Sequence, residues 1–227
     1  MKVVVLAAGF GMRLENSMPK TLTKIHNKSI LERQIENITK YIDINDIIIV
    51  IGFKKEMIME SFPQLLFVYN NNFHSTNTAK SLLLALNKIK NEDVLWLNAD
   101  IVFDDAIIAD ILNLNENCMA TNVSNTAQEE VKYILDEEGY IAKVSKNLSG
   151  AKGEALGINF IKAPYLDLFK NCLQECTNKD YFEEAINKLI QKGIKIAPLD
   201  VGNKRCIEVD FLEDLETTKA LFSDKEA

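Results

Sequence analysis

The 227-residue sequence predicts an α/β protein, a three-layer α/β/α sandwich around a mixed, mainly parallel central sheet. Three observations predict it. Short β-branched runs alternate with helical patterns through the first half, which implies βαβ units with right-handed crossovers. Those runs are almost continuously apolar, as strands covered on both faces are. After about Cys118 the rhythm changes to strands with short connections, so an antiparallel portion joins the sheet.

The elements follow in order. Lys2–Leu6 is the first strand. Ser29–Tyr41 is a helix opened by a capping box, Ser29-x-x-Glu32, with apolar positions at Ile30, Leu31, Ile35 and Ile38. Asp46–Ile51 is a buried strand, Lys54–Ser61 a short helix and Leu65–Tyr69 a strand. Thr78–Ile89 is a helix, Asp93–Asn98 a strand and Asp105–Leu114 a helix. In the second half, Cys118–Val123, Val131–Asp136, Tyr140–Ser145 and Leu156–Ile161 are strands, and Asp136-Glu137-Glu138-Gly139 has the turn chemistry of a hairpin. Pro164–Gln174 and Tyr181–Lys192 are helices, the second ending at Gly193 in the manner of a C-cap. A strand at Lys195–Leu199 and a helix at Leu212–Phe222 close the chain. No linker or repeat interrupts it, so one domain over 1–227 is expected, with a first half at 1–117 and a second at 118–227.

Composition narrows the function. Hydrophobic residues make up 47% and charged residues 26%, the profile of an ordinary globular protein. Apolar runs such as Val3–Ala8 fall far short of the roughly 18 residues of a membrane span, and no signal-peptide pattern opens the chain. A cytoplasmic protein without membrane partners is therefore expected. The net charge of −7 excludes the broad basic face of a nucleic-acid binder. Cys118, Cys172, Cys176 and Cys206 form no CxxC pair, so scattered reduced thiols are expected rather than a zinc site.

The first strand runs directly into Leu6-Ala7-Ala8-Gly9-Phe10-Gly11-Met12-Arg13-Leu14, with Pro19-Lys20 close behind. Ligands of open α/β sheets bind outside the carboxyl ends of strands, where this loop falls. Small residues there admit a base or phosphate to the backbone, and Arg13 and Lys20 add positive charge. A tight glycine turn with two solvated cations is the plainer alternative. The dinucleotide fingerprint G-x-G-x-x-G fails at Leu14, which weakens a nicotinamide-dependent oxidoreductase, and no GxxxxGK[ST] loop is present.

The run LAAGFGMRL…PK resembles the LAAGxGxRL…PK signature of nucleotidyltransferases that transfer NMP onto small phosphorylated compounds. IIIVIGF at 47–53, Leu97-Asn98-Ala99-Asp100 and Ile207-Glu208-Val209-Asp210 resemble later anchors of that family, in the same order. Asn77-Thr78-Ala79-Lys80-Ser81-Leu82, Val131-Lys132-Tyr133, Lys143-Val144-Ser145-Lys146 and Gly153-Glu154-Ala155-Leu156-Gly157 resemble its bacterial CTP-dependent branch, which includes phosphocholine, aminoethylphosphonate and phosphoglutamine cytidylyltransferases. The short loop between Arg13 and Lys20 points the same way.

The resemblance implies a Rossmann-like nucleotidyltransferase fold. It implies transfer of CMP from CTP to a phosphate or phosphonate acceptor, with release of pyrophosphate, in cell-surface (capsule) polysaccharide modification. It implies Mg²⁺ on Asp100 and Asp210, and catalytic roles for these two with Arg13 and Lys20. Leu6, Ala7, Ala8, Gly9, Gly11, Lys20, Gly52, Asn77, Thr78, Ser81 and Asp100 would hold the nucleotide. Lys132, Lys146, Glu154 and Glu208 would hold the acceptor, and a homodimer is compatible with it. Each residue also has a plainer reading. Asp100 could cap the next helix or lie solvated in a loop, and Asp210 or Asn77 could be an N-cap. Lys132 and Lys146 could lie on a solvated face, His74 in a loop and Trp96 in the core. The rival activities are a sugar-1-phosphate nucleotidyltransferase using UTP or dTTP and a non-catalytic nucleotide-binding regulatory domain.

Overall fold

Strand β1 (Lys2–Ala7) lies inside the sheet because Val3, Val4 and Val5 are buried on both of its faces. It pairs in parallel with β4 (Ile47–Ile51) on one side and β6 (Val94–Asn98) on the other, and β4 continues to β5 (Leu66–Tyr69). Known from a computed structural model, the structure describes residues 1–10, 18–123 and 130–223. Strand β11 (Gly153–Ile161) pairs antiparallel with β6 and carries the sheet into the second half. There β9 (Lys132–Leu135) and β10 (Ile141–Ser145) form the expected hairpin, and β8 (Cys118–Asn122) joins β11 to β12 (Ala197–Asp200). The sheet has nine strands and is mixed. In the β9–β10 turn, Asp136 accepts the Glu138 and Tyr140 N–H groups, and Gly139 takes φ +86°.

Helices cover both faces. Leu31, Ile35 and Ile38 of α1 (Ile30–Thr39), Ile58 of α2 (Lys55–Ser61) and Ile107, Ile108 and Ile111 of α4 (Ala106–Leu114) pack on one face with Val3, Val5, Ile47, Ile49, Leu95 and Leu97. On the other, α3 (Thr78–Leu86), α5 (Leu166–Glu175) and α6 (Phe182–Gln191) pack with Val4, Leu6, Val50 and Trp96. The three-layer expectation is borne out, and Trp96 belongs to the core. The Ser29–Glu32 capping box is present, and Gly193 follows α6 at φ +84°.

Several boundaries differ from expectation. Strand β11 begins at Gly153 instead of Leu156, because Gly157 at φ +70° interrupts the alternation and shifts the register against β8. Helix α3 stops at Leu86, where Asn87 N–H turns back to Leu83 and Ala85 carbonyls. Four strands too short to show a period were not anticipated: β2 (Lys24–Ile25), β3 (Lys28–Ser29), β7 (Ile101–Phe103) and β13 (Cys206–Glu208). They pair as β2–β3 and β7–β13, and α7 (Leu212–Leu221) packs there through Leu215 beside Ile25, Ile30, Val102 and Val209. Among the described residues no helix is long and apolar enough to cross a membrane.

Candidate active site

Strand order reverses between β1 and β6: the first crossovers run from β1 out to β4 and β5, and the next returns to β6 on the other side of β1. Such a switch point leaves a crevice at the carboxyl ends of the strands. A cavity of about 520 Å³ opens there, walled by Leu6, Ala7 and Gly9 from the end of β1 and by Asn98, Ala99 and Asp100 from the end of β6. Lys20 enters from the short 3₁₀ turn after Pro19, and Glu208 and Asp210 come from β13 and the residues after it. Thr78, Lys146, Tyr181 and Glu183 form another wall.

Three residues far apart in the chain meet in this cavity. Lys20 Nζ lies 2.9 Å from Asp100 Oδ2 and also donates to Asp210 Oδ1. Burial works against the Lys20 ammonium, but Asp100 and Asp210 outweigh it and hold its pKa above the ordinary lysine value. Strand β13 brings the acidic residues together: Glu208 sits opposite Ile101, and Val209 N–H donates to the Asp100 carbonyl at 2.9 Å. Carboxylate oxygens of Asp100, Glu208 and Asp210 lie within 4.8 Å of one another. Although Glu208 keeps an exposed surface, desolvation of its carboxyl, then the charges of Asp100 and Asp210, push its pKa up to about 8. Clustered negative charge of this kind is what a bound cation relieves.

Neither aspartate is the N-cap of the helix that follows it. Helix α4 has Asp105 at its N-cap. At the start of α7 it is Asp214 that accepts the Asp210 and Phe211 N–H groups, at 3.0 and 2.7 Å. Asp100 Oδ1 is buried with no hydrogen-bond partner. Hard oxygen donors, one of them buried and unsatisfied, fit a divalent cation such as Mg²⁺.

Other residues singled out in the sequence lie outside the cavity wall. Gly52 and Ala8 shape the loop behind it: the Ala8 carbonyl accepts Phe53 N–H at 3.2 Å, and a Cβ on Gly52 would sit 2.4 Å from that oxygen. Asn77 is the N-cap of α3 and donates to the Lys179 carbonyl, while Ser81 is buried under Asn70. Thr78, between them, does reach the cavity. Lys132 and Glu154 are cross-strand neighbours on β9 and β11, and burial, then Glu130, pushes the Glu154 carboxyl above its usual range. His74 lies in the loop before α3. Gly11 and Arg13 are outside the described residues.

Sequence reasoning missed Tyr181 and Glu183. Glu183 lies in the first turn of α6 with Oε2 buried and unpartnered, and desolvation pushes its pKa up to about 7. Lys146 Nζ stands 5.8 Å from the Tyr181 ring centre. Two adjacent glutamates at a helix start look like ordinary N-terminal charge, so only the cavity distinguishes Glu183. The cysteines are free, and desolvation pushes the Cys118 thiol up to about 12, as suits an inert core thiol.

Comparison with known proteins identifies the family of the chain. The chain is 33% identical over 206 residues to the bifunctional protein GlmU of Methanococcus maripaludis, covering 85% of this chain and 48% of that protein. Against GlmU of Sulfurimonas denitrificans it is 27% identical, covering 98% and 54%. The chain thus spans about half the length of the curated relatives it matches. The CTP:phosphocholine cytidylyltransferase LicC of Streptococcus pneumoniae shares the fold at a TM-score of 0.77 and 20% identity, over 97% of this chain and 98% of that one. The inositol-1-phosphate CTP transferase of T. maritima shares it at 0.82 and 16%, over 100% and 97%. A model of the MobA-like NTP transferase domain matches residues 3–184, and the chain belongs to that family of nucleotidyltransferases.

Proposed function

We propose that the protein is a cytidylyltransferase that moves CMP from CTP onto the phosphate or phosphonate of a small polar acceptor. The observation that carries this reading is the meeting of Lys20, Asp100 and Asp210 at the carboxyl ends of β1 and β6. An acceptor oxygen attacks the α-phosphorus, the bond from that phosphorus to the β-phosphate bridge breaks, and pyrophosphate leaves with the electron pair. A phosphate monoester is largely ionised near pH 7, its second pKa being about 6, so no general base is required. Positioning and charge stabilisation supply the rate. Asp100 and Asp210 would hold Mg²⁺, which supplies charge neutralisation on the phosphates. Lys20 stays protonated and offers its ammonium to the charge that grows during transfer. Leu6, Ala7, Gly9 and Thr78 line the nucleotide end, with Arg13 and Gly11 of the same signature assigned there by resemblance. The second-half wall, with Lys146, Tyr181 and Glu183, is assigned to the acceptor, and Lys132 and Glu154 support it from the adjoining strands.

The CTP preference is supported by the motif resemblance and by two CTP-using proteins of the same fold. A sugar-1-phosphate nucleotidyltransferase is the second reading, because a putative glucose-1-phosphate thymidylyltransferase of Bacillus anthracis also shares the fold, at a TM-score of 0.81 and 15% identity. Pyrophosphate release separates the two. The panel pairs CTP, UTP, dTTP, ATP and GTP with phosphocholine, 2-aminoethylphosphonate, phosphoglutamine and glucose 1-phosphate. Turnover with CTP and one of the first three acceptors is expected; turnover confined to glucose 1-phosphate with UTP or dTTP would install the second reading.

A further inference from the structure

The buried face of α1 consists of Ile30, Leu31, Gln34, Ile35 and Ile38, and Gln34 is its one polar member. Its side chain is 1% exposed. A buried amide persists where its hydrogen bonds are needed. Gln34 Nε2 donates to the Asn98 carbonyl at 2.9 Å and to the Ile101 carbonyl at 2.7 Å. These carbonyls flank Ala99 and Asp100, the two residues that separate β6 from β7. Both donors of the amide are therefore spent on the two sides of the turn that carries Asp100. Its Oε1 is buried without a partner, so donation is the part of this side chain that the fold uses.

Other contacts hold the same turn. Ala99 N–H donates to Leu6 O at 3.2 Å, and Val209 N–H donates to Asp100 O at 2.9 Å. Gly157 presses on Asn98 and Ile101 so closely that a Cβ would lie 2.9 Å from Asn98 Nδ2 and 2.8 Å from Ile101 Cδ1. Those holds are made by backbone, whereas Gln34 holds the turn with a side chain from the layer below. We infer that Gln34 is a positioning residue that fixes the Asp100 carboxylate for divalent-metal binding. This rests on Asp100 being a metal ligand, as proposed above. Groups that orient a ligand from behind typically change metal affinity about 10- to 100-fold when removed.

The test is Mn²⁺ binding to the nucleotide-free protein, followed by electron paramagnetic resonance of the free ion, with the Mg²⁺ dependence of pyrophosphate release in parallel. Gln34→Met keeps the length and removes both donors. Its Mn²⁺ dissociation constant should rise about tenfold or more, and the Mg²⁺ for half-maximal rate should rise alike. The KM for CTP at saturating Mg²⁺ should stay within about twofold. Gln34→Asn, with donors on a shorter stem, should lose less than Gln34→Met, and it carries the test alone if the Met variant does not fold. Mn²⁺ binding within twofold of wild type in a variant that only melts earlier would reduce Gln34 to a core residue and overturn the inference. Wild-type protein that binds Mn²⁺ yet transfers no nucleotide would sink the proposed function and leave Gln34 open to the same measurement. Absence of Mn²⁺ binding by wild type would overturn both.

Discussion

At the scale of single residues, the site divides by charge. Asp100→Asn and Asp210→Asn each keep the shape and remove a hard donor from a site with a buried, unpartnered oxygen. Each should lower kcat by about 100-fold or more with the far-UV spectrum intact; near-normal turnover at saturating Mg²⁺ would show that the residue is no ligand. Lys20→Ala should lower kcat, because its charge acts on the transition state, whereas Lys146→Ala should raise the acceptor KM about tenfold with the KM for CTP unchanged. Lys132, outside the cavity wall, should give the smaller acceptor effect, and steady-state kinetics with both substrates varied rank the three. Glu183 yields a stability prediction. Its folded pKa is raised from an ordinary glutamate value to about 7, so the folded state binds more protons than the unfolded state between about pH 4.5 and 7. Stability from this group is therefore full below that window and falls as pH rises through it. Glu183→Gln should remove this fall, gaining at most about 3 kcal/mol over wild type at pH 8 and little at pH 4.5, by urea unfolding. An equal difference at both pH values would contradict the assignment. Lys20, Asp100 and Asp210 were legible because each sits in a run that resembles a nucleotidyltransferase motif, Pro19-Lys20, Leu97-Asn98-Ala99-Asp100 and Ile207-Glu208-Val209-Asp210. Glu183 and Gln34 were not, since each is one polar side chain on an amphipathic helix until its neighbours are known.

At the scale of elements, caps and periods carried the reading. Ser29 with Glu32 marked the start of α1, and continuous apolar runs marked β1, β4 and β6 as strands covered on both faces. Strands β7 and β13 escaped because each has three residues, less than two periods of alternation, and their pairing is long-range. Their ladder is nonetheless what sets Glu208 and Val209 beside Asp100. Gly157 shows how an element can hide within a recognisable motif: its φ of +70° breaks the β11 alternation and also clears room for Asn98 and Ile101. Gly157→Ala adds a methyl where no side chain fits and forces a left-handed residue, so a loss of about 1–3 kcal/mol is expected. Because the clash falls on both sides of Asp100, the Mg²⁺ requirement should rise with it. A variant that loses stability but keeps its Mg²⁺ dependence would show that the strain is absorbed elsewhere, in β11.

At the scale of the whole molecule, alternation in the first half implied parallel units, but sequence could not give the order in which strands pair. That order depends on which helix covers which face, a matter of many weak contacts distant in sequence. It decides the site, since the reversal between β1 and β6 opens the cavity and β13 closes it from the far end of the chain. Among the described residues, cavity walls come from residues 6, 7, 9, 10, 19–21, 78, 98–100, 146, 181–183, 208 and 210, so they draw on both halves of the chain. Binding to the folded state alone stabilises by about 2.7 kcal/mol at a hundred times the dissociation constant. For a chain of this length each kcal/mol moves the melting temperature by about 2–4 °C, so saturating CTP with Mg²⁺ should raise it by about 5–10 °C. The sheet runs unbroken through both halves, so a single cooperative transition should move as a unit. Asp100→Asn should lose most of the Mg²⁺-dependent part of that shift while keeping the transition cooperative. Scanning calorimetry that resolves two transitions, only one of them moved by CTP and Mg²⁺, would mean that the halves unfold separately and that the ligand grips only one.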